Sequence, residues 1–180
     1  MRHNFIFSSS YELPFGRGRQ WGNDWSAPIN AVLGGWKLGG IFQARSGLPI
    51  TVVDTQNRSQ QGERGNERPN CVGNPAPSDQ SITHWLDINA FQRAALGTFG
   101  NCPVGVARAP GYVNFDLVLS KRFDVRSSQY AEFRVEAFNA LNHPSFGPPG
   151  RDINAPASFG VITNTISSPR VIELVLKYYF

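Results

Sequence analysis

The stretch Arg170–Phe180 (RVIELVLKYYF) decides the fold, because its apolar side chains recur at every second position. The charged residues Glu173 and Lys177 share one parity. After Arg170 the other parity is apolar: Ile172, Leu174, Leu176, Tyr178 and Phe180. A period of two predicts a β-strand whose two faces meet different surroundings. The 11 residues of this stretch are enough to cross a bilayer at a tilt, which takes about 9–11 residues.

Four further stretches of 11 or 12 residues repeat this alternation: 3–13, 35–46, 112–123 and 130–141. Strands of soluble proteins average about 5–6 residues, so these strands are long. One parity is mainly apolar and aromatic, and the other carries charges on nearly every strand. This is typical of a transmembrane β-barrel, which is apolar toward lipid and polar inside. The residues predicted to face lipid are Phe5, Phe7, Trp36, Phe42, Phe115, Leu117, Phe133 and Ile172.

Five charged residues on the polar parity are predicted to point into the barrel interior: Asp116, Arg122, Glu132, Arg134 and Glu136. Two interpretations of this set stay open. The charges either line the path of a ligand, or form cross-strand ion pairs that satisfy a polar interior. Lys121 departs from the pattern, because it has the apolar parity. Since it lies near a strand end, it is expected to extend toward the lipid headgroups.

The connections between the strands differ greatly in length. The segment 124–129 is a short polar turn, whereas 53–111 and 142–169 are long and polar. Compact soluble domains rarely carry structureless loops beyond about 12–15 residues. Outer-membrane barrels have long loops outside and short turns in the periplasm. This predicts that both long loops are extracellular and that the connection 14–34 is periplasmic, with its tryptophans in an aromatic belt.

The composition argues against several other classes. Charged residues make up 17% of the chain, against about 25% on average, which excludes a charge-driven disordered protein. The net charge of +4 comes from scattered basic residues, so no nucleic-acid partner is expected. We expect no enzyme, cofactor or metal, because the three histidines lie far apart and no nucleophile elbow or phosphate loop occurs.

Both cysteines, Cys71 and Cys102, lie within the predicted loop 53–111, in surroundings rich in Gly, Pro and Asn. A disulfide between them would suit an oxidising compartment. It would close a loop of about 32 residues, which the chain-entropy model makes worth roughly 3.5–4 kcal/mol. The alternative is a pair of unrelated free thiols.

Several motifs follow one another along the chain: YELPFG (11–16), GW (35–36) with RSGLP (45–49), GYVNFDL (111–117) with KRF (121–123), and EFRVEAFNALNHP (132–144) with FG (146–147). Together they resemble TonB-dependent receptors, in particular the Oar-like branch, whose members often carry a carboxypeptidase-regulatory-like domain. The strand 170–180 resembles the assembly signal of outer-membrane barrels, with Leu174, Leu176, Tyr178 and Phe180 as its alternating side chains.

The resemblance implies a 22-stranded barrel in the cell outer membrane of a Gram-negative-type bacterium, closed by a plug. The TonB complex, engaged through the plug, would drive uptake of an unknown ligand, and the barrel assembly machinery would recognise the last strand. Five strands cannot close a barrel, and no export signal precedes the first strand. We therefore expect residues 1–180 to be the carboxyl-terminal part of such a barrel, unable to transport alone. The alternative is a soluble secreted β-sandwich that binds glycan or protein.

Overall fold

The computed structural model describes residues 2–62, 66–126 and 128–180, and these residues fold mainly into β-strands. In chain order the elements are β1 (Asn4–Glu12), helix α1 (Ala27–Leu33), β2 (Trp36–Arg45), β3 (Pro49–Ile50), β4 (Asn70–Cys71), a 3-10 helix (Ile88–Ala90), β5 (Phe91–Gln92), β6 (Ala107–Arg108), β7 (Tyr112–Arg126), β8 (Gln129–Phe138) and β9 (Val171–Tyr179). The predicted all-β class is confirmed, and each of the five predicted long strands overlaps an observed one.

The five long strands form one sheet in the order β1-β2-β7-β8-β9. Strand β8 pairs antiparallel with both β7 and β9. In the described residues the sheet is open, with β1 and β9 at its edges. The turn predicted at 124–129 is shorter than expected, because β7 continues to Arg126 after an irregularity in register and β8 begins at Gln129. Ser127 lies outside the described residues.

The register keeps the two predicted faces separate across β7, β8 and β9. Phe133 of β8 lies opposite Lys121 of β7 and Leu176 of β9. Its neighbour Glu132 lies opposite Arg122 and Lys177. Because side chains alternate along a strand, apolar parity meets apolar parity and polar meets polar, apart from Lys121.

The chain divides into two compact units. The strand unit comprises Phe5–Ala44, Val113–Pro144 and Ser167–Phe180, and the loop unit comprises Met1–Asn4, Arg45–Tyr112 and Ser145–Ile166. The loop unit has its own hydrophobic core, built from these buried residues: Ile50, Val52, Leu86, Ala90, Phe91, Cys102, Ala107, Ile153 and Phe159. The segment 53–111, predicted to be a loop, therefore contributes short strands and much of a packed core.

Candidate functional site

A charged groove lies on the polar face of the sheet. It has a volume of about 400 Å³. Its charged and aromatic lining residues on that face are Glu12, Arg19, Lys37, Arg122, Tyr130 and Glu132, and Lys121, which has the apolar parity, borders the groove from β7. These residues come from β1, β2, β7, β8 and the 14–34 connection, so only the assembled sheet brings them together. Acidic and basic groups that share one concave surface can bind a polar ligand through hydrogen bonds to its charged or neutral groups.

Two basic side chains shape this groove. The Arg122 guanidinium lies 3.8 Å above the centroid of the Tyr130 ring, a cation–π contact. Its Nε is also 2.7 Å from Oδ1 of Asp124. From the connection, Arg19 reaches Glu12, with 2.7 Å between Nη2 and Oε2. The groove therefore holds its basic groups in defined positions while leaving them largely exposed.

Of the five predicted interior charges, the structure brings Arg122 and Glu132 into the groove. Arg134 and Glu136 lie further along β8 and form an ion pair, with 2.9 Å between Nε of Arg134 and Oε1 of Glu136. The ion pairs of Arg122 and of Arg134 thus run along a strand, whereas one of the two sequence interpretations expected pairs across strands. Glu136 of β8 lies directly opposite Glu173 of β9. Two like charges in such a cross-strand pair are destabilising.

Asp116 has a different environment from the other four charges. Its Oδ1 accepts a hydrogen bond of 2.8 Å from the backbone N–H of Asn139, just beyond the end of β8. Asn139 has a positive φ of 47° and is buried. Asp116 therefore holds the turn that follows β8, which makes it a structural residue in this arrangement.

Parity in the sequence indicated Glu12, Lys37 and Tyr130, but it did not single them out as site residues. Each lies on the polar face of its strand, like Arg122 and Glu132. Arg19 carries no such signal, because it belongs to a connection rather than a strand. Its position follows from the fold of the 14–34 segment, which strand periodicity does not describe.

The opposite face of the sheet is apolar, exposed on the edge strands β1 and β9 and mainly half-buried on the strands between them. Ring contacts join Phe5 to Phe42 at 6.2 Å, Phe42 to Phe115 at 6.4 Å and Trp36 to Phe133 at 6.3 Å between centroids. These five of the predicted lipid-facing residues thus share one surface. The other predicted members, Phe7, Leu117 and Ile172, have the same parity, and Phe7 and Ile172 are 55% and 62% exposed.

Lys121 does not extend from this face as predicted. It is only 5% exposed, and its ammonium donates hydrogen bonds to the carbonyls of Asn30 and Gly34 at the end of α1. The same ammonium lies 5.6 Å from the Trp36 ring and 5.2 Å from the Phe123 ring. The expectation of headgroup contact was wrong, because the helix supplies the acceptors that lipid was expected to provide.

A comparison with protein families identifies the family of the chain. A family model described as "Outer membrane beta barrel domain" matches residues 1–173. The chain belongs to this outer-membrane β-barrel family. Comparisons with the curated proteins and with the solved structures gave no match.

Membership in the outer-membrane β-barrel family places the protein in the cell outer membrane. It also disfavours the soluble secreted β-sandwich that the sequence left open. Among the described residues, no helix has both the length and the hydropathy needed to cross a membrane. Nor do three His, Cys, Asp or Glu side chains in this part of the chain come together as a metal-binding group.

In this barrel-family chain, the loop unit contains a disulfide between Cys71 and Cys102, with 4.9 Å between their Cα atoms. Cys102 is 1% exposed and packs in the core of the unit. Trp85 packs against the same core, and its indole N–H donates to the carbonyl of Arg108 at 2.7 Å. The bridge therefore ties the long segment to a buried centre.

Two carboxylates also hold the loop unit. The hydroxyl of Ser59, with the backbone N–H groups of Ser59 and Arg58, lowers the pKa of Glu67. Burial raises the pKa of Asp152, but hydrogen bonds from Asn154 and Thr55 outweigh it, so that this pKa is also lowered. In both cases the hydrogen bonds stabilise the ionised carboxylate.

A carboxyl whose pKa is lower in the folded state stabilises the fold above its unfolded pKa and loses that effect as the pH falls toward the folded value. The ordinary values are 4.5 for Glu67 and 3.8 for Asp152. We therefore expect the loop unit to unfold at a lower temperature once the pH falls below these values.

Thermal unfolding at neutral pH and at about pH 3.5 checks this. Ser59→Ala should reduce the difference between the two conditions, because it removes the donor with the largest effect on Glu67. Ser78→Ala, at an exposed serine of the same unit, is the matched control. Equal pH dependence in both variants would contradict the assignment.

Proposed function

We propose that the chain forms part of the wall of a TonB-dependent receptor of the Oar-like branch, and that its polar face lines the path of an imported ligand. The observation that carries this is the charged groove on the polar face of an outer-membrane barrel sheet. The order of the receptor-like motifs along the sequence supports the finer assignment.

In this proposal the apolar face contacts lipid and the polar face looks inward. The exposure of β9 supports that orientation, since Leu174 and Leu176 are 70% and 74% exposed. Large apolar side chains so exposed lose hydrophobic stabilisation in water but not in hydrocarbon. The charges of the groove would be costly on that side and belong on the other.

Further strands must complete the barrel. The edges β1 and β9 present backbone N–H and C=O groups, and each such group left unpaired in hydrocarbon costs several kcal/mol. We place the remaining strands and the plug in the complete protein. The path of the ligand would then run between the plug and the polar face.

The groove indicates the class of ligand. Arg19, Lys37 and Arg122 face Glu12 and Glu132 within one concavity, so a ligand with both acidic and basic or hydroxyl groups would find partners. We place the loop unit outside the cell, where it would make the first contact with that ligand.

TonB dependence is testable by direct binding. The complete protein, purified in detergent from outer membranes, should be retained by the immobilised periplasmic domain of TonB from the same bacterium. A porin from the same membranes is the negative control. A folded protein that elutes with the porin would contradict the receptor assignment while leaving the outer-membrane barrel intact.

A second test concerns the proposed recognition of the last strand by the barrel assembly machinery. Phe180 is 95% exposed and stacks on Tyr178, with 6.4 Å between ring centroids. Replacing Phe180 by aspartate should lower the amount of protein inserted in the outer membrane, because the charge disrupts the alternating apolar positions that the machinery would read. Surface labelling and heat-modifiable mobility on gels measure the inserted fraction.

Phe99→Asp is the matched control for the Phe180 variant. Phe99 is another exposed phenylalanine, 69% accessible, but it lies in the loop unit. Insertion should remain normal in this variant. If the two variants insert equally well, the last strand has no assembly role of this kind.

A further inference from the structure

Helix α1 presents an uncovered apolar stripe. Ile29, Val32 and Leu33 lie at positions i, i+3 and i+4, which share one face of a helix. These three residues are 46%, 65% and 54% exposed. No residue of Ala27–Leu33 is charged. A short helix with such a face needs an apolar or interfacial neighbour.

An aromatic turn extends this surface. Phe15 and Trp21 lie 5.4 Å apart between ring centroids and are 39% and 52% exposed. The turn is closed by a hydrogen bond of 2.8 Å from the N–H of Gly16 to the carbonyl of Trp21. It is tied to α1 by the N–H of Arg17, which donates to Oδ1 of Asn30 at 2.8 Å. The 14–34 connection is therefore a folded element.

The α1 part of the connection is anchored on the apolar side of the sheet, whereas Arg19 reaches Glu12 on the polar side. Lys121 and Trp36, both of apolar parity, bind the carbonyls of α1: Lys121 those of Asn30 and Gly34, and Trp36 that of Val32 at 2.8 Å. A lysine at the carboxyl end of a helix also interacts favourably with the helix dipole. The end of α1 thus adjoins the surface that carries Phe133.

We propose that α1 and the Phe15–Trp21 turn form a membrane-interface element, embedded in the phospholipid headgroup region of the periplasmic leaflet beside the barrel wall. This inference rests on the proposed orientation of the two faces. An apolar helix face that lies in an interface is buried by roughly 5–10 Å, and aromatic side chains favour the same region.

Lipid fits this surface better than a protein partner does, because the stripe adjoins the apolar face rather than standing apart from it. The anchors Lys121 and Trp36 belong to that face. The length of the connection is then explained, since a periplasmic turn needs few residues whereas an element that folds back on the wall needs more. The buried Lys121 is explained as well, because it fixes the helix at the edge of the wall.

Spin labels measure the depth of each surface. The two cysteines of this chain form the disulfide, and any free thiol elsewhere in the complete protein is first replaced by serine, so an added cysteine takes the label alone. Leu33→Cys, Leu48→Cys and Leu174→Cys are each labelled with a nitroxide in the complete protein in outer-membrane vesicles. Leu48 is the matched control, because it is 54% exposed like Leu33 but lies in the loop unit. Collision rates with oxygen, which partitions into lipid, and with a water-soluble nickel chelate are then compared.

We expect the labels at Leu33 and Leu174 to favour oxygen and the label at Leu48 to favour the chelate. If Leu174 favours oxygen but Leu33 favours the chelate, the interface element is wrong and the orientation of the wall stands. A Leu33 label shielded from both reagents would indicate a protein partner and would also overturn the proposal. If Leu174 itself favours the chelate, the proposed orientation of the sheet fails.

Discussion

Replacing Leu174 by arginine should destabilise the protein in a phospholipid bilayer by about 2–4 kcal/mol, the cost of a cation on the lipid face near the midplane. Leu174 lies one residue from the middle of β9 (Val171–Tyr179), opposite Val135 on the apolar face. It is 70% exposed, so little protein surrounds the new charge. Denaturant titration of the complete protein, folded reversibly into phospholipid vesicles, measures the free energy of unfolding.

Glu173→Arg is the matched control, because it places the same side chain one residue away on the other face. Glu173 lies directly opposite Glu136, so the arginine replaces a like-charge pair by an opposite-charge pair. We expect a neutral or slightly stabilising effect, within about 1 kcal/mol. Equal destabilisation by both variants would mean that the two faces of β9 meet the same surroundings.

The long strands were predictable from the sequence because a period of two leaves few alternatives. Once the side chains of β8 alternate between Phe133 or Val135 and Glu132 or Arg134, a slip of one residue would place every charge on the apolar face. The register of β8 with β9 follows the same rule, and the structure shows it. Patterning therefore determines the faces, and the faces determine the pairing.

The connection 14–34 and the loop unit were beyond this kind of inference. The helix α1 spans only Ala27–Leu33, which is too short for apolar periodicity to indicate a helix. Ser26 at its N-cap, Pro28 in its first turn and Gly34 at its C-cap are helix signals, but strand periodicity does not take them into account. Its position depends on Lys121, which comes from a distant strand and departs from the apolar pattern of that strand. The residues where the pattern failed are those that contact a non-strand element.

The core of the loop unit illustrates a second limit. Val52 and Phe91 are buried together in it, although 38 residues separate them in the sequence and the segment between them is mostly polar. Phe91 lies in no alternating run, and the short apolar alternation of Leu48, Ile50 and Val52 does not distinguish the buried residues from the exposed Leu48. Contacts between residues so far apart in the sequence depend on the disulfide and on the packing of the loop segments. Neither produces a periodic pattern in the sequence.

Removing the disulfide should lower the free energy of unfolding of the loop unit by about 4 kcal/mol while leaving the sheet intact. Cys71 and Cys102 are 31 positions apart in the sequence, and the chain-entropy model gives about 4 kcal/mol for a closed loop of this length. The effect should be local, because both cysteines and the core around Cys102 belong to the loop unit. We expect protease cleavage within 45–112 of a Cys71→Ser/Cys102→Ser variant, with unchanged heat-modifiable mobility.

Reduction of the unaltered protein separates the tether from the packing of the sulfur atoms. If the tether dominates, the reduced protein and the double serine variant should be cleaved at similar rates. If the variant is cleaved much faster, the serine hydroxyl left at position 102 in the buried core contributes a desolvation cost of its own. Alkylation before and after reduction tests the premise, since two thiols that react without reductant in exported protein would show that no bridge forms. The alkylation result therefore decides whether the entropy of a closed loop or the packing of two separate cysteines stabilises this part of the molecule.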